Sequence, residues 1–370
     1  MILAAVILAL IMIALLQRET AARGLKSLRE EHDFSEKVTE PLSPVELILR
    51  FSNRSRLPIP FLRYEERLPE GAELTEQTGA ERNHRGAEQD HRGADPNHRS
   101  AAYASGTLWL GPRKSRELHI PLRFEKRGRY LLSDLKVYCG DFLGLTEEGR
   151  RLETLREIVV FPQAYPEGDW EKLLGDHLGD VSVRRFIFED PVLTLGFREY
   201  TGREPMKMIS WTRSAQNNAL MVKQYDYTTD PSVTVMLNAE YEGDDKEELF
   251  ELCCRLARSL CRQLEQQGIP YGFAMNAFPQ GAHHPACFLP PGLGQRHFLT
   301  VLEYLGRALP ETVCSCREML QKSLEGQGGG KGVFLITPAR DEVYRQAEQL
   351  ARGSYGCFMS SLTAREVKAE

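Results

Sequence analysis

The 370-residue sequence predicts an α+β multidomain chain: an N-terminal transmembrane helix, a β-sandwich domain, and then an α/β domain with a parallel sheet. Three observations predict it. Residues Met1 to Leu16 carry no charged side chain. Short runs of alternating apolar and polar residues follow as far as position 162, the pattern of strands with one buried face. Beyond it, β-branched apolar runs alternate with stretches of helical period, which implies a parallel sheet with crossover helices. The regions drawn this way are 1–17, 36–162 and 163–370.

The apolar start predicts a membrane anchor. At about 1.5 Å rise per residue its helix spans roughly 24 Å, slightly short of a hydrocarbon core of roughly 30 Å. Snorkelling by Arg18 covers the difference. A signal peptide has a basic segment before its apolar run, and none precedes this one. Arg18, Arg23, Lys26 and Arg29 all follow it. The positive-inside rule then places the protein as single-pass in the cell membrane, with the C-terminal domains cytoplasmic. The eight cysteines include no C-x-x-C pair, which reads as free thiols rather than a zinc or redox motif.

Composition narrows the function. Hydrophobic residues make up 42% and charged residues 27%, values of an ordinary globular protein. Net charge is −5, and Lys and Arg are mixed with acids rather than clustered, so nucleic acid is not an expected partner.

In the strand-rich region, Val45, Leu47, Leu49 and Phe51 alternate with Glu46, Ile48 and Arg50. Pro58 and Pro60 restrict the next segment to an edge or a loop. Thr107–Leu110, Glu117–Phe124, Tyr130–Tyr138 and Glu157–Phe161 read as further strands, with Pro121 marking an edge. Several short strands with turns between them suggest a sandwich. Within this region residues 79–99 read GAERNHR-GAEQDHR-GADPNHR. His-rich tracts can bind metal, but a repeat with almost no apolar residue reads first as a solvated low-complexity loop.

In the last region Ser232–Leu237 reads as a buried parallel strand. Asp244–Gln267 reads as a helix with Leu249, Leu252, Leu256, Leu260 and Leu264 on one face, closed by Gly268. Tyr271–Met275, Val333–Ile336 and Tyr355–Met359 read as strands. Arg296–Ala308, Glu311–Leu324 and Asp341–Ala351 read as helices. Gly326–Gly332 lacks the first glycine and the Ser or Thr of a phosphate loop and runs from helix into strand, the reverse of the required order. His283, His284 and Cys287 have no second ligand pair and read as a plain loop.

The segment from Gly196 reads GFREYTGREPMKMISWTRSAQNNALMVKQYDY. Arg198-Glu199-Tyr200, Gly202, Ile209-Ser210-Trp211, Ser214-Ala215 and the Val222-Lys223 ending closely resemble the signature of the domain of unknown function 58 family. Asp141–Leu145 is similar to that family's D-P-F-G-L turn, and Phe161-Pro162 to its V-Y-P element. Arg203 stands where the family usually has aspartate. The resemblance implies that the C-terminal part is von Willebrand factor A-like. It also implies a binding surface at Arg198, Glu199, Tyr200, Gly202, Trp211, Ser214, Ala215 and Lys223, and a MoxR-type AAA ATPase as partner. Two readings of the segment stay open, because burial decides between them. Either Trp211 and Tyr200 anchor a partner-facing surface, or Trp211 belongs to the core.

Von Willebrand factor A domains bind a divalent cation through a D-x-S-x-S after the first strand. Asn238, Glu240 and Glu242 stand at that place. They keep oxygen atoms but not the usual short ligands. The expectation is a membrane-anchored interaction scaffold that is not an enzyme and needs no cofactor. The alternative is a metal-dependent hydrolase built on this altered cation site.

Overall fold

The computed structural model describes residues 23–75, 102–141, 147–166, 168–169, 194–200, 209–217, 219–225, 233–282, 287–324, 332–354 and 358–369. The chain divides into two compact units, Met1–Gln163 and Ala164–Glu370.

The first unit contains β1 (Leu28–Phe34), β2 (Val38–Thr39), β3 (Val45–Asn53), β4 (Ile59–Arg67), β5 (Ala72–Leu74), β6 (Tyr103–Leu110), β7 (Ser115–Phe124), β8 (Gly128–Leu132), β9 (Leu135–Gly140), β10 (Glu147–Leu152) and β11 (Arg156–Val160). Two antiparallel four-stranded sheets form, in the orders β1-β3-β7-β5 and β10-β9-β4-β6, with a smaller sheet β2-β11-β8 beside them. Alternation builds the core. Val45, Leu47, Leu49 and Phe51 on β3 point inward and are buried. They meet Leu62 and Tyr64 from β4, Leu108 and Leu110 from β6, and Val137 and Cys139 from β9 in one cluster. The Phe51 and Tyr64 rings, one from each sheet, lie 5.6 Å apart. Two sheets sharing one apolar layer make this unit a β-sandwich.

Proline placement departs from the sequence reading at β4. This strand lies inside its sheet, paired with both β6 and β9. Pro60 falls at a register shift between Ile59 and Leu62, where a missing N–H interrupts no regular ladder bond. Tyr130–Tyr138, read as one strand, breaks between Leu132 and Leu135 into β8 and β9, which belong to different sheets.

The second unit contains β12 (Thr194–Glu199), α1 (Trp211–Asn217), β13 (Met221–Tyr225), β14 (Val233–Leu237), α2 (Lys246–Gln266), β15 (Tyr271–Met275), β16 (Ala277–Pro279), β17 (Cys287–Gly292), α3 (Gln295–Arg307), β18 (Ala308–Thr312), α4 (Cys316–Leu324), β19 (Gly332–Thr337), α5 (Glu342–Ser354), β20 (Phe358–Thr363) and α6 (Ala364–Ala369). Its main sheet has the order β17-β15-β14-β19-β20. β14 pairs in parallel with β15 on one side and β19 on the other, and β19 pairs in parallel with β20. The chain therefore reverses its direction of travel across the sheet at β14. This is the position where open α/β sheets leave a crevice beyond their strand ends. The apolar strands are buried along their length, which is why they read as continuous hydrophobic runs.

Two expectations are corrected. The sheet is mixed, not parallel, because β17 runs antiparallel to β15. Among the described residues the structure is mostly β, 44% strand against 29% helix, where the sequence predicted an α+β chain with a membrane helix. No helix among the described residues is long and apolar enough to cross a membrane. The longest of them, α2, has 21 residues but carries Lys246, Glu247, Glu248, Glu251, Arg255, Arg258, Arg262 and Glu265. It is an amphipathic helix packed on a sheet, not a span. The apolar run 1–17 lies outside the described residues. The single-pass membrane placement is withdrawn, and the cytoplasmic assignment that depended on it goes with it. The repeat 79–99, His283, His284 and residues 326–331 also lie outside the described residues.

Candidate functional site

The signature segment folds around β13. β12 pairs antiparallel with β13 on one side, placing Phe197 opposite Lys223, Arg198 opposite Val222 and Glu199 opposite Met221. On the other side Ile209 bridges to Val222. The Tyr200 amide donates to the Leu220 carbonyl at 2.7 Å, and the Ser210 amide to the Met221 carbonyl at 2.8 Å. Val222 and Ile209 are buried, so a small apolar seam holds the segment together.

Ser214 fixes α1 to this frame. Its hydroxyl donates to the Ser210 carbonyl at 2.8 Å and accepts the Met221 amide at 2.8 Å. One buried oxygen thus satisfies a strand N–H and binds the helix start to it. Ala215 is exposed and contributes a helix-favouring residue without a contact role.

Trp211 opens α1 and is 63% exposed. The structure therefore decides against a core role for it. Leu220 is 45% exposed and lies at the foot of the same turn, next to Met221. Arg213 places its guanidinium 5.2 Å from the centre of the Phe197 ring and donates to Gln216 Oε1 at 3.2 Å. Stacking on an aromatic face limits the freedom of a long cation. Glu199 is exposed and Tyr200 half-buried. Gly202, Arg203 and Lys207 lie outside the described residues, as do the side chains of Arg198 and Lys223.

The crest of the main sheet is a second place where sequence pointed to chemistry. Asn238, Asn276 and Thr337 sit at the carboxyl ends of β14, β15 and β19, and all three are buried. Asn276 Nδ2 donates to Asn238 Oδ1 at 2.9 Å, and the Glu240 amide donates to the same oxygen at 3.1 Å. Asn238 Nδ2 donates to Thr337 Oγ1 at 3.2 Å and to the Glu240 carbonyl at 3.3 Å. The Ala239 amide donates to Asn276 Oδ1 at 2.7 Å.

These residues do not fit a divalent cation. Such an ion needs several free oxygen lone pairs, mostly carboxylate. Both acceptor positions of Asn238 Oδ1 are taken by N–H donors, and its amide nitrogen faces Thr337. Glu240 turns away: its Oε2 accepts the Cys316 amide at 2.7 Å, at the first residue of α4. A carboxylate there caps the helix and meets the positive end of its dipole. Glu242 is exposed. Among the described residues no group of three or more His, Cys, Asp or Glu side chains could hold a metal ion.

No family model matches the chain, and no curated protein matches it. Solved structures similar to it share little sequence. One is the CARDB domain of a Pyrococcus furiosus protein in complex with di-metal ions, at 11% identity and a TM-score of 0.21, covering 36% of this chain and 90% of that one. Another is a non-cellulosomal cohesin from Archaeoglobus fulgidus, at 11% identity and a TM-score of 0.22, covering 36% and 91%. A third is native alpha-2-macroglobulin from Escherichia coli, at 15% identity and a TM-score of 0.24, where the match takes in 36% of this chain and 23% of the other.

Sequence reasoning missed Asn276 and Thr337, and it quoted Leu220 within the signature segment without giving it a place on the binding surface. The first two had a usable signal. Each is the first polar residue after an apolar strand run, YGFAM before Asn276 and GVFLI before Thr337. Leu220 belongs to the apolar ending of the signature segment, and its 45% exposure is visible only in the structure.

Proposed function

We propose that this chain is a protein-interaction module that docks a partner protein through the surface around Trp211, not an enzyme. The observation that carries the reading is the exposure of Trp211 on a helix whose start is held by Ser214. Large aromatic side chains are enriched at binding hot spots. An anchor held in one geometry before contact loses less freedom on binding. Arg213 and Leu220 extend the surface with a stacked cation and an apolar neighbour. The resemblance to the domain of unknown function 58 family supports a MoxR-type AAA ATPase as the first partner to test.

The experiment is calorimetric titration of the full chain with a MoxR-type ATPase from the same genome, with and without nucleotide. The reading expects binding in at least one nucleotide state. It expects Trp211→Ala to weaken that binding by roughly thirty-fold or more, the effect of losing about 2 kcal/mol at an anchor. Thermal unfolding of the variant should match the wild type, because the side chain it removes is exposed. Absence of binding in every nucleotide state overturns the partner. Binding that Trp211→Ala leaves unchanged overturns the surface.

A further inference from the structure

A histidine and a glutamate face each other inside the sandwich of the first unit. His32 stands on β1 and Glu66 on β4, so they come from opposite sheets. Both side chains have no exposed surface. His32 Nδ1 lies 3.0 Å from Glu66 Oε2, and His32 Nε2 lies 2.7 Å from the carbonyl oxygen of Thr154, in the connection between β10 and β11.

A proton count follows from these contacts. A carbonyl only accepts, so Nε2 must carry a hydrogen. A neutral ring with that hydrogen presents a lone pair at Nδ1. A carboxylate oxygen also presents lone pairs, and two acceptors cannot hydrogen-bond. A second proton must therefore sit between Nδ1 and Oε2, whether it belongs to the imidazolium or to a carboxylic acid. We infer that this single bridging proton locks the two sheets of the sandwich together and that the lock opens as the proton is lost at alkaline pH.

The surroundings make loss of the proton costly. Glu66 Oε1 is buried without a hydrogen-bond partner among the described residues, so a bare carboxylate there would lack both water and a donor. Two charged groups act on the pair from neighbouring elements. Asp134, just before β9, favours the protonated Glu66 and is itself 2.7 Å from Arg151. Arg156, on β11, disfavours the imidazolium and lies 3.6 Å from Asp33. Burial pulls the His32 imidazole down, but the Glu66 hydrogen bond and charge, with the Thr154 carbonyl, outweigh it and hold the ring above its ordinary value. Burial pushes Glu66 up, and His32 pulls it only part of the way back. Both directions have one meaning: the folded chain keeps this proton to higher pH than the unfolded chain does. The stability it contributes is complete below the ordinary histidine value of 6.5 and is lost as pH rises through the raised value.

The test compares the full chain with its Glu66→Gln variant by thermal unfolding from about pH 6 to about pH 9, across the histidine range. The glutamine amide can donate to a neutral Nδ1 lone pair, so the contact survives without a titrating proton. In the wild type the transition of the first unit should fall by about 3–5 °C per pH unit between the ordinary histidine value and the raised one, the effect of one linked proton in a unit of this size. In the variant that fall should vanish. Parallel falls in both proteins overturn the lock. A second measurement needs no variant: nitrogen-15 spectra of ring-labelled histidine in the wild type. His32 with both ring nitrogens bonded to hydrogen, or sharing one, above its ordinary value supports the proposal. A His32 Nδ1 that neither carries a hydrogen nor accepts one at or below that value overturns it.

Discussion

Asn276 Nδ2 donates to Asn238 Oδ1 at 2.9 Å, joining the carboxyl ends of two neighbouring parallel strands by an amide pair. The same two residues collect the Ala239 and Glu240 amides and reach Thr337 on the other side of β14. At the place where an open α/β sheet commonly leaves a ligand crevice, this chain has a closed and neutral hydrogen-bond network. The crest acts as a clasp for three loops, and its Asn238 oxygen is already occupied by two N–H donors. That is the structural reason for preferring the Trp211 surface over a hydrolytic site.

Asn276→Ala should therefore act on stability. It removes the donor to Asn238 Oδ1 and the acceptor of the Ala239 amide, and leaves that buried N–H unsatisfied. Each such loss costs about 1–3 kcal/mol, so the variant should lose about 2–4 kcal/mol in the urea transition of the second unit. Addition of magnesium should restore nothing, because the altered crest still lacks a carboxylate set. Recovery of the midpoint with magnesium would contradict the clasp.

Ser214→Ala separates the frame from the anchor. The Met221 amide loses its acceptor and the helix start loses its tie to β13, a loss of about 1–2 kcal/mol. Trp211 remains in place chemically but is less well held. Partner affinity should fall several-fold, less than with Trp211→Ala, while Ala215→Ser on the exposed neighbouring position should stay within about 0.5 kcal/mol of wild type in stability. Titration and urea unfolding of the three variants check the ordering.

The legible parts of the sequence were those where one residue type repeats with the period of its element. Val45 to Phe51 shows its sandwich face directly, because every second side chain is buried. Leu249, Leu256, Leu260 and Leu264 mark α2 in the same way. Leu28–Phe34 was not legible. The buried face of β1 includes Glu30 and His32, which look like solvent residues until Arg150 and Glu66 are seen to pair with them. Trp211 was legible only as an open choice, because its type favours burial as readily as an interface, and only the third dimension places it at an exposed helix start.

An acid-range effect should come from Asp245, in the loop that leads into α2. The Tyr241 hydroxyl donates to its Oδ1 at 2.9 Å, and Arg365, at the start of α6, lies 3.1 Å from its Oδ2. Arg365 also donates to the Tyr241 hydroxyl. Lys368, further along α6, reaches Glu248 at 2.6 Å, so α6 is tied by one charge contact to α2 and by another to the loop before it. The Tyr241 hydrogen bond first, and Arg365 with it, hold the Asp245 carboxyl below its ordinary value of 3.8. A depressed carboxyl contributes stability above the ordinary value, and that contribution is lost as pH falls through the lower one. Asp245→Asn removes the titrating group at every pH. Its urea midpoint should lie below the wild type near neutrality, and the two should converge as pH falls below the ordinary aspartate range. A gap that stays constant down to acid pH would mean that the ionised form of Asp245 does not hold α6 in place.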